Sequence, residues 1–361
     1  PGSMTDPNGV VTQFTYDPLG RVETIAVKHP TDPALDAITT MSYDAVGNIT
    51  QLSLPGTSPL SLAYDANSRL VSMTSANGER FEYRYDVMGN VERETVIRGD
   101  GSTARYIRRQ FDELGRLINE RLGARQGARL AYDRVDNLTS VTDEVGFATT
   151  GSFDALDRVA TLVAPDAGSQ SSTYDEQDNP LTFTDPVSVT TQFSYNGFGE
   201  VIQEVSPDRG TSTYEYDDAG RMTKSTDARG QVIDYTRDFL GRVTRIEPAG
   251  RPASEVIEYH WDTGGLAGSY ETGRLAKIVD GSCTTLFPYD HRGNRTAKQQ
   301  AIGTSAAAQL AYEYDIADRI TQITYPSGRL VRYGYAAYGR VHVVVSNETA
   351  GSPTWKLVAD D

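Results

Sequence analysis

The sequence predicts an all-β protein of tandem β-hairpin repeats, each of about 21 residues, that join into one continuous curled or spiral sheet forming a partial shell. The phrase aromatic-Asp-x-x-Gly-(Arg/Asn)-apolar recurs along the chain, and many of its copies follow one another at a fixed step. Composition agrees: 361 residues include 33 Gly and 21 Tyr but only 2 Trp, which is typical of many turns and many half-buried aromatic positions. No stretch of useful length has helical periodicity.

The clearest copies of the phrase supply an aromatic residue, an Asp and a Gly that we predict to build the turn of each repeat. Weaker copies keep the frame but lose one of these residues. From position 111 the copies start at 111, 132, 153, 174, 195, 216 and 237, each 21 residues after the last. A fixed register over so many copies indicates a structural repeat. The predicted structural residues are Tyr16, Asp17, Gly20, Tyr43, Asp44, Gly47, Tyr85, Asp86, Gly89, Phe111, Asp112, Gly115, Tyr216, Asp217 and Gly220.

The physics of the phrase is that of a hairpin. Aromatic pairs such as Tyr214 and Tyr216 are two residues apart, so they share one face of a strand. Asp-x-x-Gly fits a type I turn, with the Asp side chain bonding a backbone N–H and the Gly adopting positive φ. A second turn, such as Asn77-Gly78, closes the unit. About fifteen such hairpins give roughly thirty strands, and open sheets that long curl or close.

Residues 5–345 are predicted to be one repeat array with irregular or inserted segments at 27–40, 96–106, 248–285 and 297–309. Residues 1–4 are interpreted as a remnant of cloning and residues 346–361 as a truncated end. The lone Cys283 excludes a disulfide framework and a thiolate zinc site. A net charge of −15 disfavours nucleic acid as a partner. No apolar run reaches the roughly 20 residues of a membrane helix, so no membrane insertion is expected.

The residues that could carry chemistry are scattered, and we predict no catalytic, cofactor or metal site. No hydrolase, nucleotide-binding or dinucleotide-binding phrase occurs. The Arg98-Gly99-Asp100 tripeptide lies in an insertion, and neither adhesion through it nor glycosylation is expected. The four histidines without metal-ligand spacing are His29, His260, His291 and His342. The four Asn-x-Thr sequons are at Asn48, Asn137, Asn294 and Asn347.

The phrase and its spacing resemble the YD or Rhs repeat, over essentially all of residues 5–345. That family includes bacterial Rhs polymorphic toxins, the C components of insecticidal Tc toxins and animal teneurins. The resemblance implies a hairpin spiral that wraps into a hollow shell around a C-terminal toxic segment. It implies that the Asp of each phrase forms a turn rather than acting in catalysis. The self-cleaving region that follows the repeats in the bacterial toxins is not found in this sequence, so autoproteolysis is not carried over.

The resemblance therefore predicts a non-enzymatic shell segment, without cofactor, of a larger bacterial protein that is secreted or on the cell surface. Its expected partners are the toxic cargo of the same protein, the remaining repeats and components of a secretion apparatus. One alternative is an extracellular adhesion or carbohydrate-binding array, with Trp261 and Trp355 as candidates. Another is an enzyme within residues 245–300, which requires a concave pocket with convergent polar groups.

Overall fold

The computed structural model describes residues 2–124, 126–336, 339–347 and 356–360, and for residues 126 and 358–360 only the backbone. In this part of the chain 32 β-strands belong to one sheet. The helical elements are two short 3-10 turns, Pro33–Leu35 and Ala253–Glu255. The predicted all-β class of tandem hairpins in one continuous sheet is confirmed.

The strands are numbered in chain order. They are β1 (Ser3–Thr5), β2 (Val11–Tyr16), β3 (Val22–Val27), β4 (Ala37–Tyr43), β5 (Ile49–Ser53), β6 (Leu60–Tyr64), β7 (Leu70–Thr74), β8 (Arg80–Tyr85), β9 (Val91–Ile97), β10 (Thr103–Phe111), β11 (Leu117–Leu122), β12 (Gln126–Tyr132), β13 (Leu138–Asp143), β14 (Ala148–Phe153), β15 (Val159–Val163), β16 (Ser169–Tyr174), β17 (Pro180–Thr184), β18 (Thr190–Tyr195), β19 (Val201–Ser206), β20 (Gly210–Tyr216), β21 (Met222–Thr226), β22 (Val232–Arg237), β23 (Val243–Pro248), β24 (Ile257–Trp261), β25 (Leu275–Asp280), β26 (Cys283–Leu286), β27 (Ala297–Ile302), β28 (Ala308–Tyr314), β29 (Ile320–Thr324), β30 (Leu330–Tyr335), β31 (Val341–Ser346) and β32 (Lys356–Asp360).

Each repeat is an antiparallel hairpin with a bulge just before its turn. In β2–β3 the register slips by one residue, so that Thr15 opposes Thr24 whereas Tyr16 opposes Val22. The same slip precedes the aromatic residue in β18–β19 and in β20–β21. The bulge is the expected companion of a type I turn that ends in a left-handed residue. The Asp-x-x-Gly corner, which we call the repeat turn, therefore sets the register of its hairpin. The turn that leads from one hairpin to the next is called the link turn.

The irregular segments mostly change the length of a turn or a strand. Segment 27–40 contains the 3-10 turn Pro33–Leu35 between β3 and β4. Segment 96–106 lengthens the nine-residue strand β10, and segment 297–309 contains β27 and the start of β28. Within 248–285, an enlarged repeat turn joins β24 to β25. Ser3 and Met4, which we interpreted as a cloning remnant, pair with β2.

The chain divides into two compact units. The first unit is Pro1–Phe81, Ile97–Ser102 and Pro252–Asp361, and the second unit is Glu82–Val96 and Thr103–Arg251. The buried apolar side chains among the described residues all belong to the first unit, and none is as large and fully buried as a core residue of a globular domain. The second unit must therefore draw its stability from strand pairing, half-buried aromatic rings and turns rather than from an apolar core. The buried apolar residues are Val10, Ala26, Ala37, Val256, Ala276, Phe287, Ala297 and Val331.

The link turn at 164–168 is strained and offers a test of turn energetics. Its fourth residue, Ala167, has φ of +66°, a left-handed conformation that disfavours a side chain. Ala167→Gly is expected to raise the free energy of unfolding by about 0.5–1 kcal/mol, because relief of strain exceeds the entropy that glycine adds to the unfolded chain. Urea unfolding measures this. The matched control Ala219→Gly, at an exposed turn position without positive φ, is expected to give no gain.

Candidate functional site

The carboxylate at the start of each repeat turn organises the turn. In the turn 112–116, Asp112 Oδ1 accepts hydrogen bonds from the N–H groups of Leu114 and Arg116, each at 2.9 Å. Its Oδ2 accepts from Arg116 Nε at 2.7 Å. In the turn 217–221, the Arg221 side chain and then its backbone N–H are the main causes that lower the pKa of Asp217 to about 2. The carboxylates are therefore held ionised by the turns that they form.

The residues predicted to build the repeat lie at equivalent places. Each aromatic residue ends the first strand of a hairpin, each Asp is the first turn residue and each Gly is the fourth. The glycines have positive φ, from +74° at Gly220 to +102° at Gly47. Where the glycine is replaced by Asp, that residue adopts the same left-handed conformation, which Asp tolerates better than most side chains. These positions are Asp136, Asp157, Asp178 and Asp318, with φ of +74°, +62°, +66° and +61°.

Arginine of one repeat turn reaches the next repeat turn. Arg116 Nη1 donates to Asp133 O at 3.2 Å and to Asp136 Oδ1 at 2.7 Å. Two repeats later, Arg158 Nη1 bonds the equivalent atoms of the turn that follows it, Asp175 O at 2.8 Å and Asp178 Oδ1 at 2.7 Å. Asp136 thus supplies both a left-handed turn residue and an acceptor for its neighbour. We call this arrangement the clasp between successive hairpins.

The tyrosine of the next repeat completes the clasp. The Arg116 guanidinium lies 4.8 Å from the centroid of the Tyr132 ring. The Tyr132 hydroxyl donates back to Leu117 O at 2.9 Å. The same pair of contacts recurs in both units, with arginine-to-ring distances of 4.5–4.8 Å and hydroxyl-to-carbonyl distances of 2.7–2.9 Å. The other sets are Arg21, Tyr43 and Val22; Arg158, Tyr174 and Val159; Arg319, Tyr335 and Ile320.

Asparagine replaces arginine in every second repeat turn up to residue 179, and again at Asn294, and it makes a shorter clasp. Asn137 Nδ2 donates to Asp133 Oδ2 at 3.0 Å and to Asp157 Oδ1 of the next turn at 2.8 Å. Because Nδ2 is also the atom that would carry a glycan, the sequon at Asn137 has its acceptor nitrogen occupied. In the turn 196–200 the two ends are exchanged: Asn196 Nδ2 donates to Glu200 Oε2 at 2.5 Å. The first and fifth turn residues are thus complementary even where their identities are swapped.

The other candidate residues are dispersed or have local roles. No group of three metal-binding side chains occurs in the described ranges. The rings of His29 and His291 meet edge to face at 4.7 Å. Trp261 is half-buried, whereas Trp355 lies outside the described residues. The Arg98-Gly99-Asp100 tripeptide forms an exposed link turn, in which Asp100 Oδ1 accepts from the Ser102 N–H at 2.8 Å.

The enlarged repeat turn 262–273 borders a cavity of about 650 Å³ and lies within residues 245–300, the segment of the enzyme alternative. Its carboxylates are engaged by the loop backbone. Glu271 accepts from the N–H groups of Gly265 and Leu266 at 3.2 Å and 3.0 Å. Asp262 Oδ1 accepts from the Gly273 N–H at 2.6 Å. These carboxylates therefore shape the loop.

Comparison with known proteins identifies the family. The RHS repeat matches residues 3–31, 64–103, 132–169, 174–211, 201–232, 216–252 and 289–330, more than half of the chain. The chain therefore belongs to the RHS repeat family. Two curated relatives of Dickeya dadantii, named probable deoxyribonuclease RhsB and probable deoxyribonuclease RhsA, are each 24% identical over 97% of this chain. The chain spans only 21% of the length of either relative.

Solved structures share the fold. A Tc holotoxin pore structure of Photorhabdus luminescens is similar over 96% of this chain and 24% of its own, with a TM-score of 0.59 at 13% identity. A crystal structure of TcdB2-TccC3-TEV is similar over 94% of this chain and 19% of its own, with a TM-score of 0.54 at 16% identity. Within the described part of the chain, no helix has the length and apolar character required to span a bilayer.

Proposed function

We propose that this chain is a non-enzymatic segment of the wall of a shell that encloses the toxic C-terminal part of its own parent protein. The observation that carries the proposal is the clasp. Arginine, aspartate and tyrosine tie a repeat turn to the next one, as in Arg116, Asp136 and Tyr132, within a sheet of 32 strands. A wall must keep neighbouring strands from separating, and the clasp ties neighbouring hairpins together at their corners.

The relatives support the same proposal. Their name describes a deoxyribonuclease, and this chain matches about a fifth of their length, so we assign that kind of activity to a part of the parent protein outside this chain. A net charge of −15 disfavours contact of the wall itself with nucleic acid. The proposed partners are the cargo, the remaining repeats and components of a secretion apparatus. The proposed location is outside the cell or on its surface.

Protease protection of the cargo tests the proposal in the parent protein. The C-terminal segment is expected to resist cleavage at protease concentrations that degrade the same segment expressed alone. Arg116→Ala combined with Arg158→Ala removes two clasps of the second unit. This variant is expected to speed cleavage of the cargo on the order of tenfold, because proteolysis follows the population of the opened state.

The matched control removes two exposed arginines, Arg209 and Arg229, whose side chains are 73% and 87% exposed. It is expected to protect the cargo like the unmodified protein. Equal cleavage of the enclosed and the isolated C-terminal segment would contradict the shell function.

A further inference from the structure

A row of apolar side chains is exposed along one edge of the second unit. In five of the seven repeat turns between residues 112 and 242 the third residue is a large apolar one and is 62–92% exposed; the exceptions are Gln177 and Ala219. Repeat turns of an antiparallel sheet lie on one edge, about 10 Å apart when two strands separate them. Large apolar side chains that are this exposed and recur along one edge are typical of an interaction surface. We call this row the apolar rim; it consists of Leu114, Val135, Leu156, Phe198 and Leu240.

The first unit shows how an edge of repeat turns is covered. There, repeat turns late in the chain contact link turns early in the chain. Asn8, in the link turn between β1 and β2, bonds Thr272 of the enlarged repeat turn twice. Its Nδ2 donates to Thr272 O at 3.1 Å, and its Oδ1 accepts from the Thr272 N–H at 3.0 Å. We call this contact, with the one described next, the seam.

A second link turn meets a second repeat turn in the seam. Arg319 Nη2 donates to Gly56 O at 3.4 Å. Ile316 lies so close to Gly56 that a Cβ there would be 3.0 Å from its Cγ1. In this covered turn Ile316 and Ala317 are half-buried. The equivalent turn tips of the apolar rim, such as Leu156 at 64% exposure, have no such cover.

The seam has a fixed offset along the chain. It joins residues 264 apart at Asn8 and Thr272 and 263 apart at Gly56 and Arg319, with the link turn always the earlier partner. The link turns that would match the rim are found by subtracting this offset from the first and last rim residues. The positions obtained are 114 − 264 = −150 and 240 − 263 = −23. The link turns that match the rim would thus precede residue 1. They cannot be residues of this chain.

We infer that the apolar rim is the docking edge for link turns of repeats that precede this chain in the parent protein, about 150 to 23 residues upstream of it. The inference rests on the proposed shell function and names the partner of this edge. It extends the seam of the first unit to the second unit. Burial of the exposed tips would supply the apolar contact that the seam obtains where Ile316 lies against Gly56.

Carbene footprinting with mass spectrometry tests the inference on two proteins. One is this chain, and the other is this chain extended only at its N-terminal side by the parent residues that precede it, about 150 in number. Labelling of Leu114, Leu156 and Phe198 is expected in the first protein and lost in the second. Val145 and Val187, exposed tips of link turns, serve as controls and are expected to be labelled in both. Equal labelling of the rim in both proteins would overturn the inference.

A variant gives a second readout. Leu114→Ser, Leu156→Ser and Phe198→Ser combined are expected to leave the thermal midpoint of this chain unchanged and to lower that of the extended chain. Val145→Ser with Val187→Ser is expected to change neither. A concentration-dependent dimer of this chain that the triple variant abolishes would assign the rim to a second copy and overturn the inference.

The two proposals fail separately. If the cargo resists protease while the rim stays labelled in the extended chain, the shell function stands and the docking edge is wrong. If the rim is covered while the cargo is cleaved freely, the docking edge stands and the shell function is wrong.

Discussion

Acidification from pH 6 to about 2.5 is expected to lower the thermal midpoint of the chain by roughly 10 °C or more. The cause is the set of repeat-turn carboxylates whose pKa is lowered in the folded chain. Hydrogen bonds from the fifth turn residue are the main cause at most of them. At the other carboxylates the largest single influence is burial, which raises the pKa. The hydrogen bonds together outweigh burial, so the pKa of these carboxylates also stays below the usual value. The first kind comprises Asp44, Asp65, Asp86, Asp112, Asp154, Asp175 and Asp217, and the second comprises Asp17, Asp133, Asp238 and Asp315.

The direction follows from proton uptake. Each of these carboxylates has a pKa in the folded chain below 3.8, the usual value. At a pH between the folded and the unfolded pKa, the unfolded chain therefore binds more protons than the folded chain. Their contribution to stability is complete above about pH 4–5 and is lost as the pH falls toward about 2, the folded pKa of Asp217. Because the same carboxylate recurs in turn after turn, small contributions add up. Thermal unfolding followed by circular dichroism at pH 6, 4 and 2.5 measures the effect.

Salt separates this cause from charge repulsion. At low pH the 34 Lys and Arg residues repel one another once the carboxylates are protonated. High salt screens that repulsion but does not restore a hydrogen bond to a protonated carboxyl. We therefore expect most of the loss to persist at high salt. A midpoint that is unchanged between pH 4 and 2.5, or fully restored by salt, would contradict the role of the turn carboxylates.

The hairpin array was predictable from the sequence because its cause is local. A type I turn with a left-handed fourth residue favours Asp at its first position and Gly or Asp at its fourth, so most turns can be recognised from five consecutive residues. Even the exchanged turn at Asn196 and Glu200 keeps the period of 21. Asp and Arg stand at fixed places in the phrase, and the structure pairs them both within a turn and between turns, as Arg116 shows with Asp112 and Asp136.

The contacts that lie far apart in the chain were not predictable. The seam uses backbone atoms of Thr272 and Gly56, and a backbone carbonyl or N–H leaves no trace in residue identity. The hydrogen bond from the tyrosine hydroxyl to a backbone carbonyl of the previous hairpin was not predictable for the same reason. The apolar rim did leave a signal, since an apolar residue recurs at the third turn position. An exposed apolar residue in a turn is, however, common by itself, so the sequence alone does not distinguish a docking edge from an ordinary turn tip.

Asp315→Ala is expected to lower the free energy of unfolding by about 2–3 kcal/mol. Asp315 accepts from the N–H groups of Ala317 and Arg319 at 2.9 Å and 3.1 Å, and from Arg319 Nε at 2.7 Å. Its loss leaves two N–H groups without their acceptor and leaves a guanidinium, 20% exposed, without its counter-ion. Urea unfolding of the variant measures the loss.

The matched control separates the turn from the clasp. Asp185, in a link turn, accepts from the N–H groups of Val187 and Val189 at 3.0 Å and 2.9 Å. Its replacement by Ala removes two backbone acceptor contacts of the same kind, and we expect a loss of about 1 kcal/mol. The difference between the variants reports the Arg319 guanidinium, which also stacks 4.6 Å from the Tyr335 ring and bonds Gly56 across the seam. Equal losses would show that Asp315 stabilises only its own turn. An excess loss at Asp315 means that one carboxylate supports a turn, a clasp and the seam together.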